Sequence, residues 1–341
     1  MKKFLLQLAK GESFSEPQMI EAIDLMLGEE VSESEIAAFL MGLKSKGETV
    51  EEITGIVKGL KENTLPFQKK FPQVLDNCGT GGDGSSSFNI STTSAFVIAG
   101  AGIPVAKHGN RSISSKTGSA DVLEYLGINL NLPVERTEEI LHELGIAFLF
   151  APHVHPKLKK VTAVRRQLRI PTVFNFIGPL TNPIDLDYQV LGVYRKDLLP
   201  VFAEVLQNLG RKRAVIINGA GSMDEASLQG ENYLTLLEDG VISTQTFVAD
   251  DIGLPQYDNS FVKGGDSKEN AEILKKVLSG EKGAHRDTVL LNAGIGIYTS
   301  GKTASIVDGI NIAREVIDSG AANEKLDQLI KLTAKAKREA I

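Results

Sequence analysis

The first 65 residues carry a helical pattern of hydrophobic positions. Apolar residues recur at three- and four-residue intervals in three successive segments, and each segment is preceded by a capping box. In such a box a hydroxyl residue is followed three places later by Gln or Glu, so that both side chains can bind free backbone N–H groups. The boxes pair Ser15 with Gln18, Ser32 with Glu35, and Thr49 with Glu52. The pattern predicts an all-helical N-terminal module.

The pattern changes after residues 63–72. Short apolar runs then alternate with helical stretches, which is typical of an α/β structure with a central sheet flanked by helices. The predicted strands are the apolar runs at 74–77, 103–106, 146–150, 188–193 and 214–219. Towards the C-terminus, helices are predicted at 267–278, 288–298, 303–317 and 323–337.

The change of pattern predicts two domains. The smaller is helical and covers residues 1–68, and the larger is the α/β domain at 69–341. The stretch FNFIGPLTNP, residues 174–183, holds two prolines in an apolar frame and is interpreted as a rigid connector between the two lobes. We expect the segment near 170–185 to pack back against the helical domain.

Composition narrows the class of protein. The chain has 341 residues, 42% of them hydrophobic, which is enough for a large core. Its 37 basic and 43 acidic residues give a net charge of −6, so the basic surface of a nucleic-acid-binding protein is not expected. Cys78 is the single cysteine, which excludes an internal disulfide. Because no apolar run is long enough to span a membrane and the N-terminus lacks signal-peptide features, we expect a cytoplasmic protein with no membrane or nucleic-acid partner.

The stretch CGTGGDGSSSFNIS, residues 78–91, follows the first predicted strand. Gly79, Gly81, Gly82 and Gly84 can adopt positive φ at little cost and let backbone N–H groups converge on an anion. A predicted helix begins directly after the loop, and a helix N-terminus also favours negative charge. The loop therefore predicts a phosphate-binding site, although a Gly- and Ser-rich turn fits the motif alone. It is neither a P-loop nor a dinucleotide fingerprint, since GK[ST] and the third glycine are absent.

A second polar loop, residues 107–121, follows the strand at 103–106. It combines the cations Lys107 and Arg111 with neutral hydrogen-bonding groups, a mixture suited to a sugar phosphate. Those neutral groups belong to Asn110, Ser114, Ser115 and Ser119. Because open α/β sheets bind ligands at the carboxyl ends of their strands, we expect the two loops to form one site.

Three further clusters carry side chains that could form a site. Asp224 and Glu225 follow the strand at 214–219 and would recruit Mg²⁺ if they faced a polyphosphate, although adjacent acids are also common on solvated loops. His153 and His155 have a spacing that matches no common zinc motif. Arg165 lies in a helical run and is either an exposed charge or a bidentate partner for a carboxylate.

Five motifs in this chain resemble those of the anthranilate phosphoribosyltransferase family of tryptophan biosynthesis. In chain order they are DNCGTGGDGSSSFNIST, KHGNRSISSKTGSADVLEYLG, VRRQLRIPTVFNFIGPLTNP, SMDEAS and NAGIGIYTSGK. The resemblance covers nearly the whole chain. It implies transfer of a phosphoribosyl group from 5-phosphoribosyl 1-pyrophosphate (PRPP) to the amine of anthranilate, with two Mg²⁺ ions per site. It also implies a nucleoside phosphorylase-like fold, a site in the hinge cleft and a homodimer formed through the helical domain.

The resemblance assigns roles to matching positions. Those implied to bind PRPP are Gly79, Gly82, Asp83, Ser87, Asn89, Ile90, Ser91, Thr92, Lys107, His108, Gly109, Asn110, Arg111, Ser112, Ile113, Ser114, Ser115 and Ser119. Those implied to bind anthranilate are Gly79, Asn110 and Arg165, and the implied magnesium ligands are Ser91, Asp224 and Glu225. His108 is a candidate proton acceptor, but no certain general base is implied, because the neutral aromatic amine of anthranilate needs no strong base to attack.

Two alternatives come from other classes. A pyrimidine nucleoside phosphorylase shares the helical-plus-α/β plan, but its glycine loop is preceded by a lysine, whereas Asn77 and Cys78 precede the glycines here. A non-catalytic nucleic-acid-binding relative would carry a basic face, which the net charge of −6 does not favour.

Overall fold

The structure is a computed structural model and describes residues 1–111 and 117–339. The chain begins with four helices, α1 (Lys2–Ala9), α2 (Glu16–Leu27), α3 (Glu33–Lys46) and α4 (Val50–Glu62). The three predicted capping boxes are confirmed. In each, the acidic or amide side chain accepts a hydrogen bond from the backbone N–H of the cap at 2.8–2.9 Å: Gln18 from Ser15, Glu35 from Ser32, and Glu52 from Thr49.

A seven-stranded sheet forms the centre of the rest of the chain. Its strands are β1 (Leu75–Gly79), β2 (Val105–Gly109), β3 (Ile146–Phe150), β4 (Tyr188–Gly192), β5 (Arg213–Asn218), β6 (Asn232–Glu238) and β7 (Val241–Phe247). They lie in the order β3-β2-β1-β4-β5-β6-β7. The first five are parallel, and β6 and β7 are antiparallel to their neighbours. The prediction of an α/β fold with a helical N-terminal domain is confirmed.

Further helices follow α4 along the chain. They are α5 (Ile90–Gly100), α6 (Ser119–Tyr125), α7 (Val134–Leu144), α8 (Ala151–Val154), α9 (Lys159–Leu168), α10 (Leu199–Asn208), α11 (Ser267–Leu278), α12 (Ala284–Thr299), α13 (Ile306–Asp318) and α14 (Ala321–Glu339). The four predicted C-terminal helices are confirmed, and the prediction for α11 is right at both ends. No helix among the described residues is both long enough and apolar enough to span a bilayer.

The hairpin of β6 and β7 was not predicted. All five apolar runs form strands, but β7 is an edge strand with mostly exposed, polar side chains, so it carries no apolar run. The turn between the two strands is Asp239-Gly240, and both residues have positive φ. That dipeptide is a strong hairpin signal and could have located the hairpin.

Alternating residues of β5 divide the interior into two cores. Val215 and Ile217 face one core together with α5 and α12, and Ala214 and Ile216 face the other together with α10. Buried residues of the N-terminal helices belong to this second core, as do four residues of the segment near 170–185, namely Val173, Phe176, Ile177 and Leu180. The division of the chain at residue 68 stays a prediction.

The strand order places a crevice between β1 and β4. From β1 the chain crosses to β2 through α5 on one face, and from β4 it crosses to β5 through α10 on the opposite face. The loops after β1 and β4 therefore diverge and leave a crevice at the carboxyl ends of these strands, where open α/β sheets bind ligands.

Candidate active site

The loop that contains Asp224 and Glu225 lies across this crevice. Gly79 and Gly192 are paired at the ends of β1 and β4, and Asp224 sits directly over them. A Cβ atom at Gly79 would be 2.3 Å from Asp224 Oδ2, and one at Gly192 would be 1.6 Å from the Asp224 carbonyl oxygen. A Cβ atom at Gly219 would be 2.1 Å from the Glu225 carbonyl oxygen. The glycines at three strand ends therefore make room for the carboxylate loop.

Backbone N–H groups of the glycine loop and of α5 bind these carboxylates. The N–H of Gly81 donates to Asp224 Oδ2 at 2.6 Å, and the N–H of Ser91, in the first turn of α5, donates to Glu225 Oε1 at 3.1 Å. Gly81, Gly82 and Gly84 have positive φ as predicted. Gly79 does not, and it is required instead by the close approach of Asp224. The loop and the helix start therefore form an anion-binding surface, here neutralised by carboxylates from the same chain.

Asp83 brings a third carboxylate to this surface. Its Oδ1 accepts a hydrogen bond from the N–H of Ser85 at 3.0 Å, whereas its Oδ2 is buried and receives no hydrogen bond from the described residues. Burial, together with the charges of Asp83 and Glu225, raises the pKa of Asp224 well above its usual range. Burial raises the pKa of Glu225 to about 7. The charge of Asp83 disfavours ionisation of Asp224 and of Glu225, so a cation at this surface would stabilise their charged forms.

The oxygen ligands at this surface fit Mg²⁺ held jointly with a diphosphate. Carboxylate and hydroxyl oxygens are hard ligands, and Mg²⁺ is bound through one or two carboxylates plus substrate phosphates. Within residues 1–111 and 117–339, no three His, Cys, Asp or Glu side chains form a preformed metal site. The set of Ser91, Asp224 and Glu225 is therefore suited to a phosphate-bound cation and not to a cation enclosed by protein alone.

Lys107 and His108 are consecutive residues of β2, and both are buried. The ammonium of Lys107 lies beneath the glycine loop, where it donates to the carbonyl of Asn77 and favours the charged form of Glu225. His108 Nδ1 lies 3.1 Å from the carbonyl oxygen of Gly178. Because a carbonyl only accepts, Nδ1 carries the proton and Nε2 has a free lone pair. Burial lowers the pKa of His108 to about 3, so this imidazole is neutral at physiological pH.

His155, which the sequence did not single out as a ligand-binding residue, packs against His108. The two rings meet edge to face with centroids 5.3 Å apart, and the Nε2 atoms of both are buried without a hydrogen-bond partner among the described residues. Burial lowers the pKa of His155 to about 4. The two neutral imidazole rings therefore lie together beside Gly178, and the surface formed by His108 and His155 is called the neutral wall below. A local signal existed in the stretch HVHP, residues 153–156, but it was considered only as a metal pair, which its spacing does not support.

Arg165 on α9 reaches the same connector. Its guanidinium stacks over the ring of Phe174, 5.5 Å from the centroid, and Nη2 donates to Asn175 Oδ1 at 3.4 Å. No acidic side chain of the described residues forms an ion pair with it, and burial lowers the pKa of Arg165. A partly buried cation that stacks on an aromatic ring and has no carboxylate partner among the described residues is suited to an aromatic carboxylate.

The second predicted loop is described in part. Gly109 is required by close packing, since a Cβ atom there would lie 2.5 Å from both Phe148 Cζ and Ser119 Oγ. The carbonyl of Asn110 accepts from Ser119 Oγ at 3.2 Å. Arg111 is half exposed and pairs with the carboxylates of Asp121 and Glu124 on α6. Four residues of this set lie outside the described residues, namely Ser112, Ile113, Ser114 and Ser115.

Two residues from a distant part of the chain, Lys263 and Asn270, hold the remaining residues of the first loop. Ser87 and Lys263 form an isolated antiparallel β-bridge through their backbones, and Asn89 Oδ1 accepts a hydrogen bond from the side chain of Asn270 at 2.9 Å. Asn89 and Ile90 begin α5, and Thr92 is buried in its first turn. Gly82 is exposed at the tip of the loop. Direct contacts of these residues with PRPP stay a prediction.

Comparisons with known proteins agree with this arrangement. The helical bundle domain of a glycosyl transferase family matches residues 2–64, and the a/b domain of that family matches residues 71–323. An anthranilate phosphoribosyltransferase from Bacillus cereus is 53% identical over 97% of both chains.

Solved structures give the same result. The crystal structure of anthranilate phosphoribosyltransferase from Thermus thermophilus has a TM-score of 0.92 and 39% identity, covering 97% of this chain and 99% of that one. The Saccharomyces cerevisiae enzyme in complex with PRPP and Mg has a TM-score of 0.90 and 27% identity, covering 98% and 97%. The chain therefore belongs to the anthranilate phosphoribosyltransferase family.

Proposed function

We propose that this protein transfers the phosphoribosyl group of PRPP to the amine of anthranilate, forming N-(5-phosphoribosyl)anthranilate and pyrophosphate. One observation carries the proposal: Asp224 and Glu225 are bound to the N–H groups of Gly81 and Ser91 at the crevice between β1 and β4. Amides that bind anions and carboxylates that bind a cation are thereby combined in one place, as a metal diphosphate requires. The names of the relatives support the same reaction.

We assign the departure of pyrophosphate to the glycine loop. Breaking the bond between C1 of the ribose and the diphosphate leaves positive charge on the sugar and adds negative charge to the departing oxygens. Backbone N–H groups of the loop and of the α5 N-terminus would stabilise that charge once Asp224 and Glu225 turn from Gly81 and Ser91 to a cation. Ser91, Asp224 and Glu225 would hold two Mg²⁺ ions, which supply further neutralisation of the departing diphosphate.

We assign anthranilate binding to Arg165, Asn110 and Gly79. Arg165 has no carboxylate partner among the described residues and would pair with the carboxylate of the substrate. Orientation of the amine towards C1 can contribute about 7 to 11 kcal/mol, so the neutral amine needs no strong base for attack. Attack of the neutral amine on C1 gives a secondary ammonium, and His108, with Nδ1–H fixed by Gly178, offers its Nε2 lone pair as an acceptor for the proton that this ammonium releases.

The proposal extends to the cellular compartment, the oligomeric state and the two domains. We propose that the protein acts in the cytoplasm as a homodimer formed through the helical domain at 1–68, with the α/β domain at 69–341 providing the PRPP-binding loops. No nucleic acid or membrane takes part.

The loss of anthranilate fluorescence tests the reaction directly. We expect the signal to fall when the purified protein is mixed with anthranilate, PRPP and Mg²⁺ together, and to stay constant when any one of them is omitted. Constant fluorescence in the complete mixture would refute the proposal. Phosphorolysis of uridine or thymidine would then favour a nucleoside phosphorylase, and a salt-dependent gel shift would favour a nucleic-acid-binding relative.

A further inference from the structure

Asn292, in the middle of α12, is a buried polar residue to which neither the reaction nor the sequence motifs give a role. Its side chain is 6% exposed and lies in a helix whose neighbouring residues are almost all buried. Asparagine is a poorer helix former than leucine, and a buried amide is costly unless all its groups are hydrogen-bonded. A buried asparagine in a helix is therefore expected to have specific hydrogen-bond partners within the protein.

The partner of Asn292 is the backbone directly after the two carboxylates. Its Oδ1 accepts from the N–H of Ala226 at 2.9 Å, and its Nδ2 donates to the carbonyl of Ala226 at 3.0 Å and to that of Thr288 at 2.9 Å. One side chain thus satisfies both backbone groups of Ala226, in the way that a neighbouring strand would. Ala226 is fully buried, so no solvent can replace these bonds without rearrangement.

Asp224 and Glu225 lie between two such anchors. On the other side, Met223 exchanges both backbone hydrogen bonds with Gly219, at 2.9 and 3.2 Å. The backbone on both sides of the two acidic residues is therefore anchored by hydrogen bonds. Their backbone position is set by Gly219 at one end and by Asn292 at the other.

The same helix also supports the second half of the anion-binding surface. Gly296 of α12 packs against Ile98 of α5, where a Cβ atom would lie 2.4 Å from Ile98 Cδ1. The first turn of α5 provides the N–H of Ser91 that binds Glu225. α12 thus contacts both the carboxylate loop and the helix whose N-terminus faces it, and it fixes the spacing between them.

We propose that Asn292 is a positioning residue that holds Asp224 and Glu225 in register with the glycine loop for a metal diphosphate. It touches neither substrate nor metal, and it acts through the backbone of Ala226. The inference rests on the proposed function. Residues that orient metal ligands in this way commonly change metal affinity or activity by about 10- to 100-fold when they are replaced.

The experiment measures PRPP binding by calorimetry over a range of Mg²⁺ concentrations, without anthranilate. Asn292→Leu removes all three hydrogen bonds at similar volume, and Asn292→Ala leaves space in which water can reach Ala226. We expect the Mg²⁺ concentration for half-maximal PRPP binding to rise by about tenfold or more in both variants. The KM for anthranilate should stay within about twofold of wild type, because the Arg165 side of the site does not depend on this loop.

Thr299→Val is the matched control. Thr299 lies on the same helix, is 1% exposed, and donates its hydroxyl to the carbonyl of Ile295, one turn earlier. It should lower the unfolding temperature without changing the Mg²⁺ dependence. Folded Asn292 variants with the Mg²⁺ dependence of wild type, or an equal change in Thr299→Val, would overturn this inference alone. A wild-type protein that bound no PRPP would overturn the proposed function as well.

Discussion

The carbonyl oxygen of Asp224 lies over Gly192 so closely that a Cβ atom at Gly192 would be 1.6 Å from it. Gly192→Ala must therefore displace the carboxylate loop, because the contact is with backbone and no side chain can turn away. We expect kcat/KM for PRPP to fall by about 100-fold, as a displacement near 1 Å in an active site can cause. Steady-state kinetics with varied PRPP at saturating anthranilate measure this change in kcat/KM.

Gly230→Ala is the control for that change. A Cβ atom at Gly230 would meet only the Ala220 side chain at 3.4 Å, an ordinary contact. Its activity should match wild type. Equal losses in the two variants would mean that the close approach at Gly192 has no part in catalysis.

Arg165→Ala should affect anthranilate more than PRPP. The guanidinium is held by Phe174 and Asn175 and has no acidic partner among the described residues, so its removal leaves no unpaired carboxylate in the protein. A hydrogen bond to a charged group contributes about 1.5 to 3 kcal/mol, so the KM for anthranilate should rise by about 10- to 100-fold. Arg166→Ala, at an exposed neighbouring position, should change neither KM. An equal rise in both KM values for Arg165→Ala would contradict the assignment.

Glu225→Gln should stabilise the metal-free protein above neutral pH. Burial raises the pKa of Glu225 from its ordinary 4.5 to about 7, so the folded state binds the proton more tightly than the unfolded state. The stability contributed by the protonated carboxyl is complete below pH 4.5 and is lost as the pH rises through about 7. Glutamine stays neutral and can still accept from Ser91.

Thermal unfolding in a chelator, at about pH 4.5 and about pH 8, measures this difference. The variant should have the higher unfolding temperature at the upper pH, and the advantage should shrink towards the lower pH. Glu231→Gln, at an exposed position nearby, should show no such trend. A Glu225→Gln variant less stable than wild type at the upper pH would contradict the expectation.

The pH dependence of the reaction should not report His108. Burial lowers the pKa of this imidazole to about 3, so it does not titrate between about pH 5 and 8. We expect His108→Gln to lower kcat/KM for anthranilate, since the neutral wall is altered, and to leave the shape of the pH–rate profile unchanged. His142→Gln, at an exposed position of α7, should change neither kcat/KM for anthranilate nor the pH–rate profile. If the pH–rate profile lost its acidic limb in His108→Gln but kept it in His142→Gln, His108 would be identified as a group that titrates near neutrality.

The sequence was sufficient for those parts of the fold that depend on local chemistry. Capping boxes such as that of Thr49 and Glu52 require only residues three positions apart, and the apolar strands β1 to β5 are buried on both faces. The strand β7 was missed because it is exposed at the sheet edge, where no apolar pattern is needed.

The site was less accessible from the sequence, because its contacts join distant segments. Gly192 carries no local signal, and Asn292 begins the motif NAGIGIYTSGK but receives no role from it. The importance of both residues arises from contacts with residues 224 and 226. Lys107 was predicted as part of a loop wall, but it belongs to a strand whose five residues are all buried, and its ammonium lies beneath the glycine loop. The motifs therefore identified the two loops, and the tertiary contacts determine how each side chain is placed in them.

The pairing of Gly81 with Asp224 and of Ser91 with Glu225 has a consequence for the sequence of binding events. A bare diphosphate entering the crevice would have to compete with two carboxylates for the same amides while being repelled by both. A cation that arrives earlier, or is carried in by the diphosphate, turns those carboxylates from competitors into ligands. Uncomplexed pyrophosphate should therefore be a poor inhibitor, and its potency should grow with the fraction that is bound to magnesium.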